Sequence, residues 1–201
     1  MASTSSERSP PRCEKQRTEL VGMYHFAEEL AREGFIPLLT TRNIKGIDMT
    51  VSNANGSRSL TFQVKTITLE NERNDSFPVF STPGDDAKNH VVDAPDLFSR
   101  IRDGISPSPN KWWVFVPVEN TRVNRYYVAP SEWVYRTALE KAKDYLGLNC
   151  GDKITQTAKS GKKKGELLTW GSLGVIGFYL DELKRFEDDI QSVRNVLVDP
   201  Q

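Results

Sequence analysis

The residues best suited to chemistry lie in positions 45–66, KGIDMTVSNANGSRSLTFQVKT. Two runs there, 47–51 and 60–64, alternate apolar and polar residues on either side of an Asn-Gly pair. Alternation with a period of two predicts strands that bury one face, and Asn-Gly favours a two-residue hairpin turn. We therefore predict a β-hairpin around Asn55-Gly56 whose polar face carries an aspartate, a glutamine and a lysine.

A turn centred on Asn55-Gly56 determines which residues of the two strands face each other. Asp48 then lies opposite Gln63, and Lys65 stands one diagonal step from Asp48, within reach of its side chain. The other face is entirely apolar and pairs Met49 with Phe62, Val51 with Leu60 and Ile47 with Val64. A slip of one residue would bury the polar set, so burial of the apolar face favours this register.

A carboxylate, an amide oxygen and an ammonium on one surface suit metal-dependent hydrolysis of a phosphodiester bond. Mg²⁺ takes oxygen ligands and usually only one or two carboxylates, and Mn²⁺ accepts similar ligands. Asp48 would supply the carboxylate, while the Gln63 side-chain oxygen and the Val64 main-chain carbonyl would be neutral ligands. Lys65 would hold the attacking water or neutralise charge that develops on the phosphate.

Helices and strands around the hairpin follow from hydrophobic spacing. A helix is predicted over residues 14–33, ending before Gly34. Its apolar stripe consists of Leu20, Met23, Tyr24, Ala27, Leu30 and Ala31. Residues 35–39 read as a short strand, which Pro37 confines to a sheet edge or a strand start. The polar residues 67–92, with three prolines or glycines among them, predict a long connection.

The second half of the chain predicts a helix, two strands and two further helices, over residues 93–105, 111–118, 125–130, 131–148 and 179–197. The last helix has apolar residues on one face: Leu183, Phe186, Ile190, Val193 and Leu197. GSLGVIG, residues 171–177, lacks the glycine spacing of a dinucleotide fingerprint and is interpreted as a packing turn before that helix.

Composition excludes several classes of protein. Lysine plus arginine (27) equals aspartate plus glutamate (27), so any nucleic-acid contact must come from local basic patches. Cys13 and Cys150 give neither a disulfide framework nor a metal-ligand spacing. No apolar run approaches the ~18 residues of a membrane span, and we predict a soluble, cytoplasmic protein. Three parts are expected: a disordered tail (1–13), a core (14–130) and a helical C-terminal extension packed on it (131–201).

GID and FQVKT, on successive predicted strands after an acid-bearing helix, resemble the motif of the PD-(D/E)XK nuclease superfamily. The resemblance covers about residues 14–128 and implies a restriction-endonuclease-like α/β fold. Its core has the order α-β-β-β-α-β, with a mixed central sheet flanked by helices. Asp48 falls on the acid of the second strand, Gln63 on a position that is usually acidic, and Lys65 on the motif lysine.

The superfamily also implies site residues and an activity beyond the hairpin. Its first-helix glutamate falls on Glu19, with Glu14 as the other candidate; an acid in the first turns of a helix is also favoured by the helix dipole alone. The implied activity is that of a Mg²⁺- or Mn²⁺-dependent DNA endonuclease in restriction, defence or mobile-element maintenance, and dimers are common. Gln63 removes one negative charge from the implied metal site, so Gln63→Glu is expected to tighten metal binding.

Other interpretations of the same residues remain open. One is a catalytically inactive nuclease-fold protein that serves as a nucleic-acid-binding or scaffold module. Another is an interaction protein whose last helix, with its EDD cluster at 187–189, docks a partner. The hairpin's polar face is also compatible with an ordinary solvated surface. The form of the substrate is left open between duplex, branched and single-stranded DNA or RNA.

Local basic residues would contact a phosphate backbone non-specifically. Those expected to do so lie just before the Asp48 strand and in the loop KSGKKKG: Arg42, Lys45, Lys159, Lys162, Lys163 and Lys164. A lysine- and glycine-rich loop of this kind is by default only a solvated surface segment.

Overall fold

The computed structural model describes residues 12–40, 46–69, 76–81, 94–146 and 175–198. The strands in these ranges are β1 (Ile36–Leu39), β2 (Met49–Ser52), β3 (Ser59–Thr68), β4 (Ser76–Ser81), β5 (Lys111–Glu119), β6 (Arg122–Val123), β7 (Tyr127–Pro130) and β8 (Val175–Tyr179). The helices are α1 (Arg12–Arg32), α2 (Ala94–Ile105), α3 (Ser131–Leu146), α4 (Leu180–Leu183) and α5 (Ile190–Leu197), with a 3₁₀ turn at Lys184–Phe186. The fold is mixed α/β, with helices flanking a mixed central sheet.

The central sheet has the strand order β1-β2-β3-β5-β6, and β7 also pairs with β5. β1, β2 and β3 are antiparallel neighbours, whereas β3 and β5 are parallel. Parallel neighbours need a crossover connection, and the chain between β3 and β5 includes α2. β4 and β8 form a separate antiparallel pair.

Two apolar cores lie on the two faces of this sheet. Phe26 and Leu30 of α1 pack on Phe62 of β3 and Val114 of β5 in one core, which α5 completes. The other core joins α2 and α3 to the β4–β8 pair, around Trp113. β5 is buried along its first eight residues because both of its faces are covered, which explains its continuous apolar run.

The structure confirms the predicted register from Met49 onwards, whereas the predicted pairs Asp48–Gln63 and Ile47–Val64 lie outside the ladder. Met49 pairs with Phe62 and Val51 with Leu60, and all four side chains are buried. The turn differs from the predicted two-residue type. Gly56 has φ +72° and donates its N–H to the Asn53 carbonyl at 3.0 Å.

Side-chain hydrogen bonds explain the longer turn. The Asn53 carboxamide oxygen accepts from Arg58 N–H at 3.1 Å, and the Asn55 oxygen accepts from Ser57 N–H at 3.0 Å. These bonds hold a loop of residues 53–58 that preserves the pairing of the strands. Asparagine side chains commonly hold turns by bonding to nearby backbone in this way.

Predictions for the first helix hold at its ends and fail on part of its stripe. α1 ends at Arg32, and Gly34 adopts φ +85° just beyond it. β1 is the edge strand of the sheet, as Pro37 indicated. Tyr24, however, is 58% exposed, because the helix turns Phe26 and Leu30 to the sheet instead.

The predicted connection over residues 67–92 contains strand structure at both described parts. β3 extends to Thr68, and residues 76–81 form β4 despite Pro78. Phe77 of β4 pairs with Phe178 of β8, and both are fully buried. The interpretation of GSLGVIG as a turn is therefore wrong for its last residues, because Val175–Tyr179 forms β8. The C-terminal extension is accordingly not purely helical.

The single helix predicted over residues 179–197 is also wrong. Asp188 interrupts it with φ +47°, and its N–H donates to the Tyr126 carbonyl at 2.8 Å. The Asp188 carboxylate accepts from Tyr126 N–H, which anchors the break to the sheet. Asp189 caps α5 by accepting from Ser192 N–H at 3.1 Å. Two acids of the EDD cluster therefore serve the fold itself.

None of the helices in the described ranges combines the length and apolar character that crossing a bilayer requires.

Candidate functional site

The candidate site lies at the N-terminal end of β2. Beyond this end, β3 continues and pairs with β5 on its other side. The ladder between β2 and β3 starts at the Met49–Phe62 pair, and Asp48 precedes it. Asp48 N–H donates to the Phe62 carbonyl at 2.8 Å, and Thr40 N–H donates to the Asp48 carbonyl at 3.0 Å. Backbone bonds on both sides therefore hold Asp48 at the end of the strand.

The Asp48 side chain makes a hydrogen bond to β3 that the backbone of a longer β2 would otherwise make. Its Oδ2 accepts from Val64 N–H at 2.8 Å, where a longer β2 would have supplied a carbonyl. The N–H and C=O of one strand residue point to the same side of the strand. We therefore expect the Val64 carbonyl to face the same open edge as the Asp48 carboxylate.

The structure brings all the predicted catalytic side chains to one cavity of about 230 Å³. Glu19 reaches it from α1, Asp48 from the start of β2, and Gln63 and Lys65 from β3. Val64, the predicted backbone ligand, lines it too. Residues from both faces of β3 contribute because the cavity lies at the open edge of the strand.

Lys65 is a partly buried ammonium inside this cavity. Its Nζ lies 5.7 Å from the centroid of the Trp113 ring, which forms part of the neighbouring core. Burial lowers the pKa of Lys65, while attraction to Asp48 and Glu19 opposes that shift. A cation that is incompletely hydrated interacts more strongly with an anionic ligand than one in water does.

The Gln63 side-chain oxygen is buried and accepts no hydrogen bond from the described residues. Buried polar atoms normally have a partner, and a carbonyl oxygen without one is suited to a cation or to a donor on a ligand. The oxygen therefore fits the role of the neutral metal ligand predicted for Gln63.

Two carboxylates, those of Asp48 and Glu19, face the cavity. Among the residues that the structure describes, no group of three or more His, Cys, Asp or Glu side chains is placed to hold a metal ion. Mg²⁺ is usually held by one or two carboxylates with water completing the shell. Asp48, the Gln63 oxygen and the Val64 carbonyl are a donor set of that kind, although a sparse one.

The structure adds two lysines that the sequence interpretation missed. Lys15 lines the cavity one helical turn before Glu19, and this four-residue spacing was a visible signal. Lys111, the first residue of β5, is 6% exposed and donates to the Ile105 carbonyl at 2.8 Å. Burial lowers the pKa of Lys111, and attraction to Asp48 opposes this. A lysine at the start of an apolar strand gave no such signal, because it usually faces solvent.

Glu14, the other first-helix candidate, does not line this cavity. Glu14 lines a different cavity, together with Thr18 and Thr68. The predicted backbone-binding residues all lie outside the described ranges: Arg42, Lys45, Lys159, Lys162, Lys163 and Lys164.

No model of a protein family matches this chain, and a search of curated proteins finds no similar sequence.

Proposed function

We propose that this chain is a Mg²⁺- or Mn²⁺-dependent nuclease that hydrolyses phosphodiester bonds in DNA. The observation that carries the proposal is that Glu19, Asp48, Gln63 and Lys65, which come from three separate elements, line one cavity. Within it the Gln63 oxygen is buried without a donor among the described residues. An ordinary solvated hairpin would leave this oxygen in water instead.

The proposal assigns the chain to the PD-(D/E)XK superfamily. The order α1-β1-β2-β3-α2-β5, with β3 and β5 parallel, supports this assignment. β4 lies between β3 and α2 in sequence as an additional strand, and it pairs with β8 outside the central sheet. The C-terminal β8 would then be an addition to the superfamily core.

Each side chain has a role that follows from its position. Asp48, the Gln63 oxygen and the Val64 carbonyl would hold the metal, with Glu19 completing the acidic side of the cavity. The metal, when bound, would supply a more acidic water and neutralise phosphate charge. The Val64 N–H holds the Asp48 carboxylate in one orientation. Lys65 would donate hydrogen bonds to a phosphate oxygen as negative charge develops on it.

A non-catalytic nucleic-acid-binding or scaffold protein is the second candidate. The absence of a three-acid cluster among the described residues favours it. So do the ammonium groups among the described residues, where Lys15 and Lys65 line the cavity beside Glu19 and Asp48 and the charge of Asp48 also acts on Lys111. Such a site would attract a phosphate without needing a metal.

Cleavage assays on the full chain distinguish the two candidates. The wild-type protein is incubated with duplex, single-stranded and branched DNA in Mg²⁺, Mn²⁺ or EDTA. We expect metal-dependent cuts, and we expect Asp48→Ala and Lys65→Ala each to lower the rate by roughly 10² or more. Asp181→Ala, which alters an exposed residue near another cavity, is the matched control and should cleave normally.

Circular dichroism of each variant verifies that loss of cleavage is not loss of fold. Wild-type protein that binds these DNAs but cuts none of them, with either metal, would establish the non-catalytic alternative.

A further inference from the structure

Lys111 is a buried cation with little to compensate it. Its ammonium donates one hydrogen bond, to the Ile105 carbonyl at the end of α2, and no carboxylate of the described residues forms an ion pair with it. Asp48 is the acid whose charge acts on it. Burying an ammonium without a paired carboxylate is costly, so the presence of Lys111 at this position indicates a role beyond packing.

Gly46 shows how close Lys111 is to the candidate site. A carbon added to Gly46 would stand 3.2 Å from Lys111 Nζ and 3.6 Å from the Gln63 side-chain oxygen. Gly46, two residues before Asp48, has φ +75°, and its backbone lies close to both groups. The ammonium and the unbonded oxygen therefore lie near the same backbone segment.

We propose that Lys111 is a positioning residue that would hold a carboxylate at position 63 away from a metal, so that the neutral Gln63 is the effective ligand there. This inference rests on the proposed function. A glutamate at position 63 would pair with the Lys111 ammonium, so its carboxylate oxygens would be held by Lys111 and would not be free to bind a metal. The expectation from sequence alone, that Gln63→Glu tightens metal binding, is revised: it requires Lys111 to be neutralised as well.

Calorimetric titration of the full chain with Mn²⁺ tests this directly. Gln63→Glu should bind Mn²⁺ within about two-fold of wild type, and the double variant with Lys111→Met should bind about ten-fold tighter or more. Lys111→Arg is the matched control, since it keeps the charge. Gln63→Glu combined with Lys111→Arg should therefore stay near wild type.

Two results of the titration would overturn the inference. One is a tightening of about ten-fold or more in Gln63→Glu while Lys111 is intact. The other is a double variant that binds no more tightly than wild type, although wild type binds.

Thermal unfolding without metal keeps the inference separate from the proposed function. Gln63→Glu should lower Tm by less than about 2 °C beside Lys111, and by about 5 °C or more in the Lys111→Met background, where the new carboxylate is buried unpaired. If no variant binds Mn²⁺, the metal role in the proposed function fails, and this coupling alone decides the inference. Equal losses in both backgrounds would overturn it.

A Lys111→Met variant that does not fold leaves Gln63→Glu itself as the test. A Tm within about 2 °C of wild type supports pairing with Lys111, and a fall of more than about 5 °C contradicts it.

Discussion

Two cavities of this protein contrast in how their charged groups are satisfied. The larger, of about 610 Å³, lies beside β7, β8 and α4 and is lined by Tyr179 and Glu182 among others. There the Glu182 carboxylate accepts from Tyr179 N–H at 2.8 Å and from Lys141 Nζ at 2.7 Å. Lys141 also donates to the Gly177 carbonyl. These hydrogen bonds fix the C-terminal end of β8 and the first residues of α4.

The smaller cavity has the opposite character. Its Gln63 oxygen is buried without a donor among the described residues, and Lys65 is partly buried beside it. Cavity volume and the bonding of the lining groups therefore point to different cavities as ligand sites. Polar groups that satisfy one another stabilise the fold, whereas the unbonded Gln63 oxygen is an acceptor that a ligand could satisfy.

The largest expected effect comes from replacing one glutamate by glutamine in each of the two cavities and comparing the two variants. Glu19→Gln should lower metal-dependent cleavage by about 10–100-fold, because it removes one of the two carboxylates that face the smaller cavity. Glu182→Gln should leave cleavage unchanged but lower the free energy of unfolding by about 1 kcal/mol, because it weakens the bond to Lys141. Cleavage rates and urea denaturation of both variants measure this.

The contrast between the cavities would break if Glu182→Gln lowered cleavage as much as Glu19→Gln did, at a temperature where both are folded.

A second prediction concerns the seating of α1, which carries Glu19. Gly22 packs so closely on the sheet that an added carbon would overlap Thr66 Oγ1 and stand 2.9 Å from Thr66 Cγ2. Gly22→Ala should therefore displace α1 and lower the free energy of unfolding by about 1–3 kcal/mol. Urea denaturation measures the loss, and cleavage should fall with it as Glu19 moves.

Gly104→Ala is the matched control in α2. Among the described residues the added carbon would meet only Phe80 Cδ2, at 3.8 Å, so stability should be unchanged or should rise by up to about 1 kcal/mol. Equal losses in the two alanine variants would show that the close approach at Gly22 is not what seats α1.

The smallest expected effect concerns Tyr126, which links the two regions. Its ring packs on Phe26 of α1. Its backbone is hydrogen-bonded to Asp188, which lies between the 3₁₀ turn and α5. Burial, with Asp188 as the next cause, raises the pKa of Tyr126 from 10.0 to about 12. Above pH 10 the unfolded chain therefore loses a proton that the folded chain retains.

The free energy of unfolding should consequently fall between pH 10 and 12, and Tyr126→Phe should remove a part of that fall on the order of 1 kcal/mol. Denaturation at several pH values in this range measures the difference. Identical pH profiles for the two proteins would contradict the assignment, and cleavage near neutral pH should not change.

Much of the hairpin could be predicted from sequence because its determinants are local. Alternation over residues 47–51 and 60–64 specifies which face is buried, and only one register buries it. That register holds although the turn is longer than Asn55-Gly56 suggested, because burial of Met49 and Phe62 outweighs the preference of one dipeptide. The predicted pair of Asp48 with Gln63 is not part of the ladder, because Asp48 donates its N–H to the Phe62 carbonyl just before the paired residues begin.

The second small sheet and the C-terminal helices were mispredicted because their determinants are distant in sequence. Phe77 and Phe178 pair although about a hundred residues separate them in the chain. No local hydrophobic period in β4 or β8 indicates that these two strands pair. Of the five apolar residues expected on one face of a single helix, Leu183, Val193 and Leu197 are buried. The break at Asp188 was not expected, since it depends on hydrogen bonds to Tyr126 that only the folded chain can make.

The candidate site, too, could be predicted only where its determinants are local in sequence. Residue types and a two-residue period place a carboxylate, an amide and an ammonium on one hairpin face, because side chains of a strand alternate by geometry. Only the folded chain brings Glu19 to the same cavity as these side chains, buries the Gln63 oxygen and places Lys111 close to Gly46. Burial and charge at a site depend on neighbours from several elements, and the spacing within one element carries no information about them.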